Sequence, residues 1–196
     1  QIIREELGLN QSLPMQYLHY LKQIFTVDFG RSWATKQKIS QMIQDGIGPS
    51  LSLTMPGFLL STIISISLAL LVARYRGGKF DRITMISCLG LESISSLVFI
   101  LFFQYILAYQ MGLFPISGWD PDFIGRWSYL LLPIIIYVFV TLGYNVLFFR
   151  SVFLDEIFQD YVRTARSKGL DEKTILFKHV LRNAMVPIIT VTVLQI

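Results

Sequence analysis

The sequence predicts an all-α protein, a polytopic bundle of transmembrane helices. The 196-residue chain is 53% hydrophobic. Only 15% of its residues are charged, against about 25% in soluble domains. The apolar residues are also gathered in runs long enough to cross a bilayer, whose hydrocarbon core is about 30 Å thick.

Four apolar runs account for the predicted spans. They comprise residues 51–73, 83–109, 129–149 and 186–196. The first run has 23 uncharged residues, which corresponds to roughly 35 Å of helix at about 1.5 Å per residue. The fourth run is expected to continue beyond Ile196. We therefore predict three complete spans and one truncated span in a membrane domain of residues 51–196.

The connections between the runs predict the orientation, because cytoplasmic loops carry an excess of Lys and Arg. Residues 74–82 include four basic residues and residues 150–186 include seven, whereas residues 110–128 include one. The first two connections are therefore placed in the cytoplasm. One predicted span separates residues 1–50 from the cytoplasmic residues 74–82. Residues 1–50 are therefore placed outside, as an extracytoplasmic segment that follows a span expected before Gln1.

Small side chains recur at every fourth position of the first run. They are Gly57, Ser61, Ser65, Ala69 and Ala73. This spacing lines one face of a helix, and small residues let neighbouring helices approach closely in lipid. We interpret the stripe as a packing face rather than the lining of a pore.

Polar residues at membrane depth are candidates for a translocation path. They are Glu92, Tyr137, Thr141, Tyr144 and Asn145. The last four form a stripe at helical spacing, which suits helix packing and a wet path equally well. Glu92 costs about 2.5–3.5 kcal/mol at the centre of a span. It is either a contact for a cationic substrate group or a buried structural acid.

The sequence contains no motif for a catalytic, cofactor or metal site. Gly77-Gly78-Lys79 lacks the rest of a phosphate-binding loop, so ATP hydrolysis by that route is excluded. His19 and His179 fall on opposite predicted sides of the membrane and cannot share a metal ion. The net charge of +4 does not indicate a nucleic-acid partner, because the basic residues lie between apolar runs.

A helix–glycine–helix pattern follows the third run. We predict a helix that ends near Lys168, with Gly169 as its left-handed stop. Asp171 is then the cap of a second short helix. Taken alone, the second helix also fits an amphipathic helix on anionic lipid, because its polar edge is basic.

The amino-acid sequence of this segment is more specific than its helix–glycine–helix pattern. It reads YVRTARSKGL followed by HVLRNAMVP, and QYLHYLKQI, DFGRS and GLFPISGW stand elsewhere in the chain. Together these stretches resemble the peptide branch of binding-protein-dependent ABC importer permeases over nearly the whole chain. In that family's coupling motif, Arg163, Thr164 and Ala165 take the places of Glu-Ala-Ala, and Gly169 takes the place of the glycine.

The resemblance implies a type I ABC importer permease fold, similar to the first of two peptide-permease subunits, in the cytoplasmic (inner) membrane of a bacterium. It implies coupling to an ATPase through Arg163, Thr164, Ala165, Gly169, Leu170 and Asp171. The implied partners are a second homologous permease subunit, two cytoplasmic ATP-binding subunits, an extracytoplasmic peptide-binding protein and the lipid bilayer. ATP hydrolysis would reside in the ATP-binding subunits.

Alternative functions remain open from the sequence. Ser95-Ser96-Leu97 stands where the peptide branch commonly has Pro-Ser-Phe, so nickel or another small solute is an alternative substrate. A channel-type pore and a membrane scaffold are alternatives from other classes. A channel would not need the helix–glycine–helix segment, and a scaffold would not need Glu92 at membrane depth.

Single cysteines test the predicted orientation. In a Cys88→Ser background, Lys36→Cys and Asp122→Cys should react with a membrane-impermeant thiol reagent in intact spheroplasts, because both positions are predicted to lie outside. Lys79→Cys should not react. Labelling at Lys79→Cys in sealed cells would overturn the orientation and the cytoplasmic placement of residues 150–186.

Overall fold

The computed structural model describes residues 12–26, 28–32, 34–120 and 122–194. The chain forms two compact units, Gln1–Leu51 and Ser52–Ile196. In the first unit, helix α1 (Leu13–Phe25) is followed by a turn that an isolated antiparallel bridge between Arg31 and Lys38 closes. Pro14 lies in the first turn of α1, where the missing backbone donor has no intrahelical partner to lose.

The second unit contains the helices that define the bundle. Helix α2 (Ile39–Arg74) begins before the unit boundary and continues into it. The following elements are α3 (Lys79–Glu92), α4 (Ser96–Phe103), a π-helix π1 (Gln104–Gln110), α5 (Phe123–Ile157), α6 (Asp160–Ser167), α7 (Glu172–Thr174), a second π-helix π2 (Ile175–Val180) and α8 (Leu181–Val193). Apart from the one bridge, no β-structure occurs in the described ranges.

Three helices are long and apolar enough to cross a membrane. They are Ile39–Arg74, Gly125–Ile157 and Glu172–Val193, with mean hydropathies of 2.1, 2.2 and 1.2. A bent pair, Lys79–Glu92 and Ser96–Gln110, makes a fourth if it is one span. These helices confirm the predicted all-α, polytopic fold.

The structure breaks the second apolar run, which the sequence suggested as one continuous helix. Helices α3 and α4 meet at 91° across Ser93–Ser95. The Ser93 hydroxyl donates to the Leu89 carbonyl at 2.8 Å. Serine side chains compete in this way for backbone groups, which weakens a helix and bends it. The break lies within a cluster of serines, at Ser93, Ser95 and Ser96.

Helix α5 is at the centre of the second unit. It packs against α3, α4 and α8 and contacts π2. The main core includes Val146, Phe149 and Phe153 of α5, all at most 1% exposed. The small-residue stripe of α2 is buried, as predicted, and Ser61 and Thr141 share a hydrogen bond of 2.5 Å between their hydroxyl oxygens.

The backbones of α3 and α5 approach each other closely at Gly143. A Cβ atom at Gly143 would lie 2.8 Å from the Cys88 carbonyl oxygen and 3.3 Å from the Glu92 nitrogen. Neither backbone atom can move aside without moving α3. Glycine at this position therefore sets the spacing of the two helices.

Alanine substitutions should separate this packing effect from helix propensity. Gly143→Ala should lower the stability of the purified protein by about 1–3 kcal/mol, because it overpacks a tight contact. Gly90→Ala is the matched control, since a Cβ at Gly90 meets nothing within 4 Å. It should be neutral or stabilise by up to about 1 kcal/mol, the gain of alanine over glycine in a helix. Thermal unfolding in detergent measures both, and equal melting temperatures for the two variants would contradict the close contact.

Candidate functional site

The helix–glycine–helix segment, residues 160–180, has the local geometry that the sequence predicts. Helix α6 ends at Ser167, and Gly169 has φ +76°. The Leu170 N–H donates to the Ala165 carbonyl at 3.3 Å, the long bond of a left-handed helix stop. The Asp171 carboxylate accepts from the Lys173 N–H at 3.2 Å and so caps α7. Both the glycine stop and the aspartate cap are confirmed.

One face of the segment packs inward. Val162 and Ala165 of α6 are 0% and 6% exposed, and they join Ile175, Leu176 and Val180 of π2 in the main core. Ala165 therefore packs largely against this chain. The second helix is also longer than the sequence suggested, because π2 continues directly into α8 up to Val193.

The opposite face of the segment is exposed. It presents Arg163, Thr164, Gly169, Leu170 and Asp171. Leu170 is 41% exposed although it is apolar. A cavity of about 290 Å³ lies beside this face, lined by Tyr161, Thr164, Ala165, Lys168, Leu170 and His179. Five of the six residues that the resemblance assigns to coupling are thus accessible together.

Two polar contacts connect parts of the segment. The Tyr161 hydroxyl donates to the Glu156 carboxylate at 2.6 Å, which ties α6 to the end of α5. Burial raises the pKa of the Tyr161 phenol, and the bond to Glu156 acts in the same direction. The Arg166 guanidinium makes two bonds to Glu172, at 2.6 and 3.2 Å, across the glycine turn. These bonds raise the pKa of Arg166 above its ordinary value.

The polar stripe of the third run divides between packing and a cavity. The half-buried Thr141 hydroxyl bonds to Ser61, and Asn145 is 4% exposed, so both side chains face other parts of the helix bundle. Tyr144 is 47% exposed and stacks on Phe148. Only Tyr137 of the stripe lines the larger cavity. The structure therefore does not bring the candidate path residues into one site.

The larger cavity, about 420 Å³, lies between α2, α4, π1, α5 and the connection that follows π1. Its polar lining includes Ser96, Gln104, Ser117, Tyr129 and Tyr137, and no charged residue lines it. The Gln104 side-chain amide donates to the Ile116 carbonyl at 3.4 Å, which holds the connection against π1. The cavity is at the end of the bundle that is predicted to face outside.

Glu92 lies at the break between α3 and α4 rather than inside a continuous span. Its side chain is exposed, and the described part of the chain offers it no hydrogen bond or ion pair. The neighbouring Ser93 bonds to the backbone instead. In the described residues, no three His, Cys, Asp or Glu side chains form a group that could hold a metal ion.

A partly buried ion pair at the predicted cytoplasmic end of the bundle was not predicted from the sequence. Arg150 of α5 bonds to Asp81 of α3 through two contacts, of 2.7 and 2.8 Å. A signal was available, because the two opposite charges stand at the ends of neighbouring apolar runs on the same predicted side. Counting only the basic residues of the loops left Asp81 out.

The chain is similar in sequence to known membrane transport proteins. Residues 65–196 match the family described as binding-protein-dependent transport system inner membrane component. The chain is 30% identical over 194 residues to the glutathione transport system permease protein GsiC of Salmonella choleraesuis (strain SC-B67), covering 99% of this chain and 62% of the relative. It is 33% identical over 192 residues to the dipeptide transport system permease protein DppB of Lactococcus lactis subsp. cremoris (strain MG1363), covering 97% of this chain and 61% of the relative. The chain thus spans less than two thirds of the length of these relatives.

Proposed function

The chain belongs to the family of binding-protein-dependent transport system inner membrane components, and we propose that it is a permease subunit of an ABC importer. In this proposal it forms part of the path by which peptides cross the cytoplasmic membrane. ATP is hydrolysed by separate subunits. The full transporter contains a second homologous permease, two ATP-binding subunits and an extracytoplasmic peptide-binding protein.

The observation that carries the proposal is the exposed helix–glycine–helix segment. It presents an apolar Leu170 and a left-handed Gly169 on a surface that is braced from behind by buried residues. A rigid surface with an exposed apolar residue suits docking into a partner's groove. We assign the exposed residues of this segment to contact with an ATP-binding subunit. Movement of that subunit then reaches the bundle through α6 and π2.

Peptides are the substrate class that the comparisons favour. The two relatives named above are permeases for glutathione and for dipeptides, and glutathione is itself a short peptide. No relative named above is a nickel permease, so that alternative gains no support. The uncharged cavity beside Tyr137 suits a neutral peptide side chain, because burial of an unpaired charge there would be costly.

The arrangement in the membrane follows the orientation argument. We propose that residues 1–50 are extracytoplasmic and that residues 51–196 form the membrane domain. In this arrangement the break at Ser93–Ser95 lies at membrane depth, with Glu92 beside it. Non-helical backbone at that depth is tolerated only inside protein or beside water. Glu92 is therefore proposed to face the wet path between this subunit and its partner permease.

A side chain at position 169 should disturb docking more than folding. A Cβ at Gly169 meets nothing within 4 Å in this chain, and asparagine tolerates a left-handed backbone. Gly169→Asn should therefore insert normally. It should reduce co-purification of the ATP-binding subunits, and peptide uptake, about tenfold or more, as expected when an interface anchor is obstructed.

Gly77→Asn is the matched control for this experiment. Gly77 has φ +74°, and a Cβ there also meets nothing within 4 Å. It should retain the ATP-binding subunits. If Gly169→Asn were tolerated while Lys173→Gln with Lys178→Gln abolished function, the segment would be a basic helix on the membrane surface instead.

Neutralising Glu92 should alter substrate preference. Glu92→Gln should lower uptake of cationic peptides about fivefold relative to neutral ones, since an exposed charge contact contributes up to about 1 kcal/mol. Thr141→Val is the matched control, because Thr141 bonds within the bundle. It should change uptake of all peptides equally. An equal loss for cationic and neutral peptides in Glu92→Gln, in step with loss of assembled complex, would make Glu92 a structural acid.

A further inference from the structure

We propose that Asp81 and Arg150 are positioning residues for transport. Their bond makes α3 move as one body with the end of α5 and with the helix–glycine–helix segment. Bending of the broken span is then confined to Ser93–Ser95. This inference rests on the proposed function, because it describes how motion of the docked segment reaches the membrane.

The ion pair has the geometry of a rigid joint. Arg150 Nε lies 2.7 Å from Asp81 Oδ1, and Arg150 Nη2 lies 2.8 Å from Asp81 Oδ2. The second carboxylate oxygen also accepts from the Gly77 N–H at 2.8 Å. Two parallel bonds fix orientation as well as distance, unlike a single point contact. The bond to Gly77 ties the turn between α2 and α3 into the same joint.

Burial distinguishes this pair from the other ion pairs of the described chain. The Arg150 and Asp81 side chains are 17% and 9% exposed, whereas those of Arg166 and Glu172 are 40% and 52% exposed. Separation of a buried pair leaves uncompensated charges, so it is strongly unfavourable. Exposed pairs separate and re-form at little cost. The Asp81–Arg150 joint is therefore expected to stay closed while the subunit moves.

The joint connects directly to the docked segment. Arg150 lies two turns before the end of α5 at Ile157, and Ile157 is buried in the same core as Val162 of α6. A second contact runs in parallel, because the Arg76 guanidinium lies 4.4 Å from the centre of the Phe158 ring. Phe158 is the residue at which α5 gives way to α6. The turn before α3 is thus held both to α5 and to the start of the segment.

The point at which the broken span can bend lies at the other end of α3. The close contact of Gly143 with the Cys88 carbonyl holds α3 against α5 along its length. Beyond Glu92 the chain turns by 91° at Ser93–Ser95. A helix that is fixed at two levels and broken at its end can change direction only at the break. Movement of α5 and the segment should therefore be converted into a change of angle between α3 and α4.

The test measures transport and ATP hydrolysis separately. The complete complex, with its partner permease, ATP-binding subunits and binding protein, is reconstituted in vesicles. Uptake of labelled glutathione and labelled trialanine is divided by the ATP hydrolysed. Asp81→Asn and Arg150→Gln should each lower this ratio about tenfold. Asp155→Asn, which removes an exposed carboxylate of α5 outside the segment, is the matched control and should stay within about twofold of the wild type.

The double variant Asp81→Asn with Arg150→Gln separates positioning from folding. It leaves no unpaired buried charge, so the complex should assemble close to normal amounts. Because the two charge-assisted hydrogen bonds are missing, its ratio of uptake to ATP hydrolysis should remain about tenfold below that of the wild type. A ratio equal to that of the wild type in the double variant would overturn the inference. So would single variants whose uptake falls only in proportion to the amount of complex. Absence of ATP-driven uptake in the wild type would instead overturn the proposed function and this inference together.

Discussion

The contact between α3 and α5 constrains most of the second unit. Lipid supplies no hydrophobic drive that would hold two apolar helices together, so packing and polar contacts must do so. Here Gly143 lets the backbones approach until a Cβ would lie 2.8 Å from the Cys88 carbonyl. The Asp81–Arg150 bonds close the same interface at its predicted cytoplasmic end. With α3 fixed in this way, the break after Glu92 determines where α4 and the larger cavity lie.

The helix–glycine–helix segment depends on that constraint because its inner face belongs to the same core. Val162 and Ile175 are fully buried together with Phe149 and Phe153 of α5. The segment is therefore an extension of the bundle rather than a loop attached to it. Its exposed face includes Gly169 and an apolar Leu170, which suits the proposed docking role.

The broken span and the larger cavity share a residue. Ser96 begins α4 at the break and also lines the cavity of about 420 Å³, together with Tyr137 of α5. A change of angle between α3 and α4 would alter the shape of this cavity. The proposed path for peptides and the proposed transmission of motion therefore meet at one place in the structure.

The sequence determined the features that depend on local chemistry. Within a bilayer, long uncharged runs form helices, because lipid offers the backbone no hydrogen-bond partners. Glycine at 169 and aspartate at 171 determine a helix stop and a helix cap through their own conformational and bonding preferences. The four-residue spacing of the small stripe likewise indicated the buried face of α2 before any partner helix was known.

Only the tertiary structure decided which distant residues meet. Asp81 and Arg150 are 69 positions apart and Ser61 and Thr141 are 80 apart, so no local pattern links them. The tertiary structure also divided the polar stripe, placing Tyr137 at a cavity and Asn145 in the bundle, although both have the same spacing pattern in sequence. The helix face on which a side chain lies follows from the periodicity of the sequence. Whether that side chain meets a neighbouring helix or a cavity depends on where the other helices pack.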